Sequence, residues 1–412
     1  MHKYHHGLHI DRHLHLTRFL SSKYNDLLVA DVFRLLSLSM ISIFLPIYLL
    51  GINYSITAVA LMELSMFVLV IFAHYYVMKR IGTWGVKKSL VASYLLNVLF
   101  YLALYYGDVI TEDFGRFFFI SLITLLNVAT TSLYWSAHHL YFINSTKAKN
   151  QGLKLGLLVG LPTFVGIVGP FLGSVLITEF SFKETFLVSG FFMAVASTVL
   201  FFSNDIKVKI RLDIGKILDL KHGRKNIVYA MQGISYAATG FIWPILLFFI
   251  GIKLISMGLL YLFSNTAYAI VSYLGGVKAD KEGNMGIGKI GAAGEGISLI
   301  FRAFSSTVLL LTTFQTMGGL FGGLMQVALN TGFYKYSHKD IGNSIMNREM
   351  YMHFGRIFAV LAFLLALLFV SVQEALIFVL ILAGILVFSL ILFIKKGTVI
   401  VDRKRHFWEF FK

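Results

Sequence analysis

The 412-residue chain is 57% hydrophobic and only 14% charged, and it has a formal net charge of +16. A soluble domain carries roughly 25% charged residues. One soluble core could not bury this apolar surface, so the composition excludes an ordinary soluble protein. The chain has no cysteine, which excludes disulfides and thiolate chemistry.

Residues 1–27 form a basic segment in which histidines are concentrated. No compact apolar run ends there in a small-residue cleavage site, so we predict no signal peptide. We interpret the segment as a basic, amphipathic surface stretch and assign no metal site. Zinc or nickel binding by its imidazoles is the alternative. His6 and Asp11 also fit the H-x4-D pattern of acyltransferases, without supporting context.

Twelve apolar windows follow, each long enough to span a bilayer as a helix of about 20 residues. The breaks before the second and tenth windows are short polar stretches at Asn53 and at Thr312–Thr313. The sequence therefore predicts an all-α integral membrane protein with twelve transmembrane helices. They cover Leu28–Leu50, Ser55–Met78, Ser89–Tyr106, Phe117–Phe142, Leu153–Thr178, Thr185–Ser203, Ile227–Ile250, Leu254–Val277, Gly288–Leu311, Phe314–Tyr334, Ile345–Val370 and Ala375–Ile394.

Lysine and arginine are distributed unequally between the connecting segments. With a cytoplasmic N-terminus, 30 of the 36 basic residues lie in cytoplasmic segments, three in external segments and three within helices. This bias follows the positive-inside rule. It predicts a multi-pass protein, in the plasma (cytoplasmic) membrane, with both termini cytoplasmic. It also accounts for the net charge without a nucleic-acid partner.

The chain divides into two halves that resemble each other. Pro46 and Pro244 end similar apolar stretches and lie 198 residues apart. The segments Arg80–Gly85 and Lys281–Gly286 are offset by 201 residues. Two unrelated matches at one spacing indicate a duplicated six-helix unit. We expect a His-rich terminus (1–27), a six-helix bundle (28–203), a basic linker on anionic lipid of the inner leaflet (204–225), a second bundle (226–394) and a basic aromatic tail (395–412).

Ionisable side chains within the predicted helices are candidates for function, because each is costly in a bilayer unless it is paired or hydrated. Asp31 and Arg34 share one face of the first helix, as a structural ion pair would. Glu63 has no basic residue within a helical turn and is the best candidate to carry a proton. The residues assigned to proton coupling or ion pairing are Asp31, Arg34, Glu63, His138, Glu349 and Arg356.

Polar stripes mark three further helices. On the fourth helix, polar residues recur at steps of three and four, so they share one face that lipid cannot satisfy. The seventh and tenth helices carry similar stripes. These faces predict a substrate cavity, and hydrogen bonding between helices is the alternative. The predicted cavity residues are Asn127, Thr131, Tyr134, Gln232, Tyr236, Gln326 and Asn330.

The loop after the eighth helix contains Gly276-x-x-x-Asp280-Lys281-x-Gly283. This pattern resembles G-x-x-x-D-(R/K)-x-G, a signature of the major facilitator superfamily, in which it forms a cytoplasmic gate. The first-half copy keeps Gly82 and the pair Lys87-Lys88, but Lys79 stands where an aspartate is usual. A first-half latch built on that aspartate is therefore not expected.

The fifth helix resembles the antiporter motif of the same family, G-x8-G-x3-G-P-x2-G-G. Gly156, Gly169, Pro170 and Gly173 match, whereas Val165 and Ser174 depart from it. Glycines at such spacing also serve as close-packing positions between membrane helices. The same residues therefore support two interpretations, a role in solute export or close packing between helices.

The resemblance implies two six-helix bundles that alternate access to a central site lined by the first, fourth, seventh and tenth helices. It implies a secondary active transporter of a small organic solute, without a cofactor, and proton-coupled efflux is the leading expectation. A proton-coupled uptake symporter of sugar, amino acid or peptide is the alternative. From other classes, a membrane-embedded lipid-modifying enzyme or a His-rich metal sensor stays open.

Overall fold

The computed structural model describes residues 23–145, 164–282, 285–337 and 340–394, and every regular element in these ranges is helical. The predicted all-α fold class is confirmed. The helices that match the predicted spans are α1 (Lys23–Ser39, continued by Leu45–Gly51), α2 (Ile56–Trp84), α3 (Val86–Tyr105), α4 (Arg116–Ser145), α5 (Val168–Glu179), α6 (Phe182–Phe201), α7 (Gly223–Ala237, Ala238–Ile242 and Trp243–Phe249), α8 (Leu254–Glu282), α9 (Met285–Ala303), α10 (Val308–Ser337), α11 (Ile341–Ala366) and α12 (Val372–Phe393).

Nine helices of the described ranges are long and apolar enough to cross a membrane. The other three helices of the set each depart from that pattern. Helix α1 is divided, α5 is described only from residue 164 onward, and α9 carries Lys289, Glu295 and Arg302. We call α1–α6 the first half and α7–α12 the second half. The end of the bundle at which α1 begins is called the Lys23 end, and the opposite end the Gly51 end.

The boundary between α9 and α10 differs from the prediction. It lies at residues 304–307, whereas Thr312 and Thr313 are inside α10. Their hydroxyls donate to the carbonyls of Val308 and Leu309, at 2.7 and 2.9 Å. Threonine can satisfy its hydroxyl in this way within a helix, so it does not interrupt one. The Thr307 hydroxyl instead accepts from the Leu310 N–H near the start of α10.

Helices α1 and α7 are interrupted at equivalent positions. Residues 40–44 form a turn before Pro46, and residues 238–242 form a π-helical stretch before Pro244. The two interruptions keep the spacing of 198 residues that separates the prolines. Proline lacks an N–H and its ring collides with the carbonyl four residues earlier, so an interruption is expected there in each half. The repeat seen in the sequence therefore has a structural counterpart.

Glycines bring helix backbones together in both halves. A Cβ on Gly173 of α5 would lie 2.1 Å from the Met40 carbonyl oxygen of α1. A Cβ on Gly233 of α7 would lie 1.9 Å from the Met352 carbonyl oxygen of α11, and one on Gly355 would lie 1.8 Å from that of Ala230. Only glycine fits such close approaches. The two halves meet along α2 with α11 and along α5 with α8.

The linker between the halves crosses the Lys23 end without regular structure over residues 204–213 and continues as two short helices, Ile214–Leu218 and Leu220–His222. Lys87 of α3 donates from its Nζ to the Ser203 carbonyl at 2.8 Å, and the Asp213 N–H donates to Asn343 Oδ1 of α11 at 2.8 Å. Residues 206–212 alternate between the two sides: the apolar ones face the bundle, and Lys207, Lys209 and Arg211 are exposed. The linker thus packs on protein with one side and presents basic side chains on the other.

Candidate functional site

A cavity of about 700 Å³ lies between the two halves. Its volume suits a small organic ligand. Its wall is built from helices of both halves. Of the residues singled out from sequence, Asp31, Arg34, Glu63, Asn127, Thr131, Tyr134, His138, Tyr236, Asn330, Glu349 and Arg356 line it.

Two predicted cavity residues, Gln232 and Gln326, lie behind the wall. They are buried and hydrogen-bonded to each other between α7 and α10. Gln326 Oε1 also accepts a hydrogen bond of 2.8 Å from the Tyr236 hydroxyl. The pair therefore positions Tyr236 rather than facing a solute. Within the first half, Asn127 instead accepts from Thr131 at 3.1 Å, and both side chains line the cavity.

Asp31 is surrounded by hydrogen-bond donors of its own half. The hydroxyls of Tyr94 and Tyr134 donate to Oδ1 at 3.3 and 2.8 Å. His138 Nε2 lies 2.8 Å from Oδ2. A buried carboxylate needs such partners to avoid a desolvation cost. Asp31 does not form an ion pair with Arg34 among the described residues, in contrast to what their spacing suggested.

Arg34 stacks on an aromatic ring instead. Its guanidinium carbon lies 3.2 Å from the Tyr134 ring centroid and 5.9 Å from that of Trp135. Such contact is favourable through the ring quadrupole. The Nε of Arg34 is buried without a hydrogen-bond partner among the described residues. The side chain is therefore held in place while its N–H groups have no protein acceptor in the described ranges.

Residues from both halves close the cavity at the Lys23 end. His139 of α4 lies with Nδ1 2.8 Å from the Tyr334 hydroxyl and with Nε2 3.3 Å from Glu349 Oε1. Arg348 NH1 donates to Glu349 at 3.1 Å, and its NH2 donates to Asn330 at 2.8 Å. We call His139, Tyr334, Arg348 and Glu349 the inter-half cluster. It connects α4 to α10 and α11.

Glu63 and Arg356 face the cavity from opposite halves, on α2 and α11. They attract each other electrostatically, although no oxygen–nitrogen contact within 4 Å joins them among the described residues. Arg356 also lies over Phe67 and Tyr236, with 5.6 and 5.5 Å to their ring centroids. Glu63 thus has a basic neighbour from the other half, which its own helix did not reveal.

A metal-ligand combination occurs at the α2–α11 interface. Ligand atoms of His74, Glu349 and His353 lie within 4.8 Å of one another, and all three residues are buried. However, Arg348 contacts Glu349, and Arg356 NH1 lies 3.4 Å from His353 Nε2. Two guanidinium groups beside the set oppose a divalent cation. We therefore do not assign a metal to it.

The loop motifs are only partly within the described ranges. Gly276 lies in α8, which continues to Glu282, so Asp280 and Lys281 are in a helix rather than in a turn. The side chains of Asp280 and Lys281, and Gly283 as a whole, lie outside the described residues, as do Gly156 and residues 1–22 of the His-rich terminus. In the first half, Asp205 from the linker accepts from the Lys87 N–H at 2.9 Å. A carboxylate thus caps the start of α3, although Lys79 replaces the usual aspartate.

The glycines of the helix-five motif lie at packing positions. Gly169 faces Ser39 and Gly173 faces the Met40 backbone, beside the interruption of α1. A Cβ on Gly258 of α8 would lie 2.9 Å from the Pro170 carbonyl oxygen. These residues therefore join α5 to α1 and to the other half. Close packing therefore explains the small residues of this motif, whether the protein exports or imports a solute.

Arg348 and His139 were not selected from sequence. Arg348 was counted with the basic residues of a connecting segment, but it is buried on α11 and paired with Glu349. In the sequence, the position of Arg348 directly before Glu349 was the signal that could have identified it. His139 is adjacent to His138 and is buried on a different side of α4. Only the contact of His139 with the other half distinguishes it from His138, and the residue pattern of one helix does not reveal that contact.

Known proteins share this architecture. A sequence profile described as Major Facilitator Superfamily matches residues 27–346. Among solved structures, the chain is similar to the crystal structure of a Major Facilitator Superfamily (MFS) transporter, FucP, in the outward conformation, with a TM-score of 0.64. That similarity covers 91% of this chain and 100% of the other at 11% identity, so it concerns the fold alone. No curated protein sequence matches the chain.

Proposed function

The chain belongs to the major facilitator superfamily, whose members are transporters rather than enzymes, and on that premise we propose that it moves a small organic solute by alternating access. The lipid-modifying enzyme considered from sequence is thereby set aside. The solute binds in the cavity between the halves. Rocking of the halves exposes it to one side of the membrane and then to the other.

The inter-half cluster is the observation that supports this proposal most. It joins α4 to α10 and α11 through polar contacts that are buried at one end of the cavity. Buried polar groups that contact each other across an interface can separate only if water or a solute replaces the lost partners. Such a cluster suits a gate that opens when the cavity is hydrated.

Proton coupling through Glu63 is the second part of the proposal. Glu63 faces the cavity, accepts no hydrogen bond among the described residues and has Arg356 as its charged neighbour. Protonation of Glu63 removes the attraction to Arg356 and leaves that cation free to bind a solute. A proton and a solute would thus affect the same pair of residues. Asp31 is less suited, because three donors already bind it.

Orientation and direction complete the proposal. The Lys23 end faces the cytoplasm of the plasma membrane, because the exposed Lys207, Lys209 and Arg211 of the linker can contact an anionic inner leaflet. We propose export as the direction, on the match of Gly169, Pro170 and Gly173 to the antiporter motif. An imposed pH gradient of either sign across a vesicle membrane distinguishes export from uptake.

The test uses the absence of cysteine in the chain. The Phe142 and Tyr334 ring centroids lie 4.8 Å apart across the halves. The double variant Phe142→Cys with Tyr334→Cys should crosslink and lock the Lys23 end. In proteoliposomes, uptake is first measured for a panel of sugars, amino acids, nucleosides, aromatic carboxylates and lipophilic cations. Oxidation should then stop transport of the active solute, and a reductant should restore it.

Each single-cysteine variant is the control for the lock. Full transport by a crosslinked protein would contradict alternating access, and no saturable transport of any solute would contradict the transport proposal. Glu63→Gln should abolish the response to a pH gradient while solute exchange continues. Glu112→Gln, on an exposed residue, should leave that response unchanged.

A further inference from the structure

We propose that the cavity holds a binding subsite for the carboxylate of an aromatic or otherwise apolar organic anion, formed by Arg34 and Arg356. This inference rests on the transport proposal and names its substrate class. Arg34 belongs to α1 and Arg356 to α11, so the two halves supply one guanidinium each.

The charged groups of the cavity wall are not equally satisfied. Asp31 has three hydrogen-bond partners, and Glu349 is in contact with Arg348. Arg34 and Arg356 contact no carboxylate oxygen among the described residues. Arg356 has Glu63 and Glu349 as acidic neighbours but touches neither, and a guanidinium without a contacting carboxylate inside a membrane protein is costly. Its retention at the cavity wall is explained if a ligand supplies the counter-charge.

Both guanidinium groups are held by contacts that leave N–H groups available. Arg34 stacks at 3.2 Å on Tyr134, which in turn donates to Asp31. Arg356 lies within 5.6 Å of the ring centroids of Phe67 and Tyr236, and the Tyr236 hydroxyl donates to Gln326. Stacked guanidinium groups lose little freedom when they bind, and their fork matches the two oxygens of a carboxylate.

The rest of the wall suits an apolar body for the anion. Aromatic rings line the cavity around the two arginines, and ring–ring contact with a bound solute is favourable. Besides Tyr134 and Tyr236, they include Phe67, Phe100, Tyr101, Trp135, Phe241 and Tyr268. A carboxylate that touches both arginines also connects the halves. Its binding would therefore favour the closed arrangement, as a transported solute must.

Melting temperatures of the full chain in detergent test the proposal. The probes are phenylacetate, indole-3-acetate, benzoate and hippurate, each compared with its primary amide, together with 2-phenylethylamine and tryptamine. A ligand that binds the folded state raises the melting temperature by mass action. We expect a saturable rise with at least one carboxylate and none with its amide or with the amines.

Substitutions then assign the effect to the two arginines. Arg34→Gln and Arg356→Gln should each weaken carboxylate binding by about tenfold or more, and the Lys variants by less, because a charged hydrogen bond is lost or only partly kept. Lys183→Gln, at an exposed site, is the matched control and should bind normally. Without ligand, each Gln variant should melt at the same temperature as the parent or higher, since no carboxylate contact is lost and a buried cation is removed. A structural role would instead lower it.

Four outcomes would overturn the proposal. The proposal would fail if a carboxylate and its amide bound equally well. It would also fail if the variant that combines Arg34→Gln with Arg356→Gln bound the carboxylate as the parent does. A protein that binds and transports only neutral or cationic solutes would overturn the anion subsite and leave the transport proposal intact. If no solute binds and none is transported, both proposals fail together.

Discussion

His138 and His139 are adjacent on α4, yet they contact carboxylates of different halves. His138 Nε2 lies 2.8 Å from Asp31 of α1, and His139 Nε2 lies 3.3 Å from Glu349 of α11. Successive residues on a helix point about 100° apart, so neighbours reach different surroundings. Opening of the Lys23 end must break the second contact but not the first.

The first prediction follows from this difference. His139→Ala should speed maleimide labelling of the single cysteine in Phe142→Cys by about tenfold, because contacts to a charged group and to Tyr334 are lost from the closed state. His138→Ala should change the labelling rate little, since its partner lies in the same half. Equal acceleration by both variants would mean that the two histidines do not differ in gating.

The second prediction concerns the glycines of α5. Gly173→Ala should lower the melting temperature, because its Cβ would lie 2.1 Å from a backbone oxygen of α1 and the helices must separate. Overpacking of this kind costs about 1–3 kcal/mol. Gly190→Ala in α6 is the matched control, since its Cβ would meet Tyr101 at 3.9 Å, an ordinary contact distance. A Gly173 variant as stable as the control would show that α5 can move away from α1 at no cost.

The fold could be predicted from sequence because its causes are local. Apolar length gives the helices, and the two prolines give the interruptions of α1 and α7. The cavity could be predicted only in part. A polar stripe shows that a face avoids lipid, but it does not show whether water or another side chain satisfies it. The Gln232 amide N–H donates to Gln326 behind the cavity wall, whereas Asn330 faces the cavity.

Contacts between the halves could not be predicted at all. Glu63 and Arg356 are 293 positions apart in the sequence and become neighbours only where α2 packs on α11. Arg348 lies at the start of an apolar window and was counted with the preceding connecting segment, yet the start of α11 is buried against α10 and the linker. Such pairings depend on how two bundles dock, which the periodicity of one helix does not encode.

The third prediction concerns pH and the linker. Partial burial raises the pKa of Asp219, but hydrogen bonds from Lys225 and His222 outweigh it and hold that pKa below its ordinary value. A carboxyl group with a lowered pKa stabilises the folded state above its unfolded pKa of about 3.9, and this contribution is lost as the pH falls through the folded value.

Asp219→Asn should therefore lower the melting temperature at pH 7, by the equivalent of about 1 kcal/mol or less for a surface pair. The difference from the parent should shrink as the pH approaches 3. Glu112→Asn, at an exposed acid, is the control for the loss of one negative charge. A difference between Asp219→Asn and the parent that stays constant from pH 7 to pH 3 would exclude the ion pair as its cause.

The last prediction concerns the paired interruptions of α1 and α7. Both lie on the cavity wall, where Ser42 and Pro46 of α1 face the same space as Gly240 and Phe241 of α7. Pro46 and Pro244 each lie in the first turn of the helical segment that follows the interruption, where proline is tolerated, so Pro46→Ala and Pro244→Ala should each change the melting temperature little. Each should slow transport, because an uninterrupted helix bends less easily when the halves rock. The double variant should be slower than either single variant, since each half contributes its own bend.

Gly51→Ala, in the same segment as Pro46, is the control, because its Cβ would meet nothing within 4 Å. Transport at the parent rate by the double variant would show that the interruptions shape the cavity without taking part in its opening.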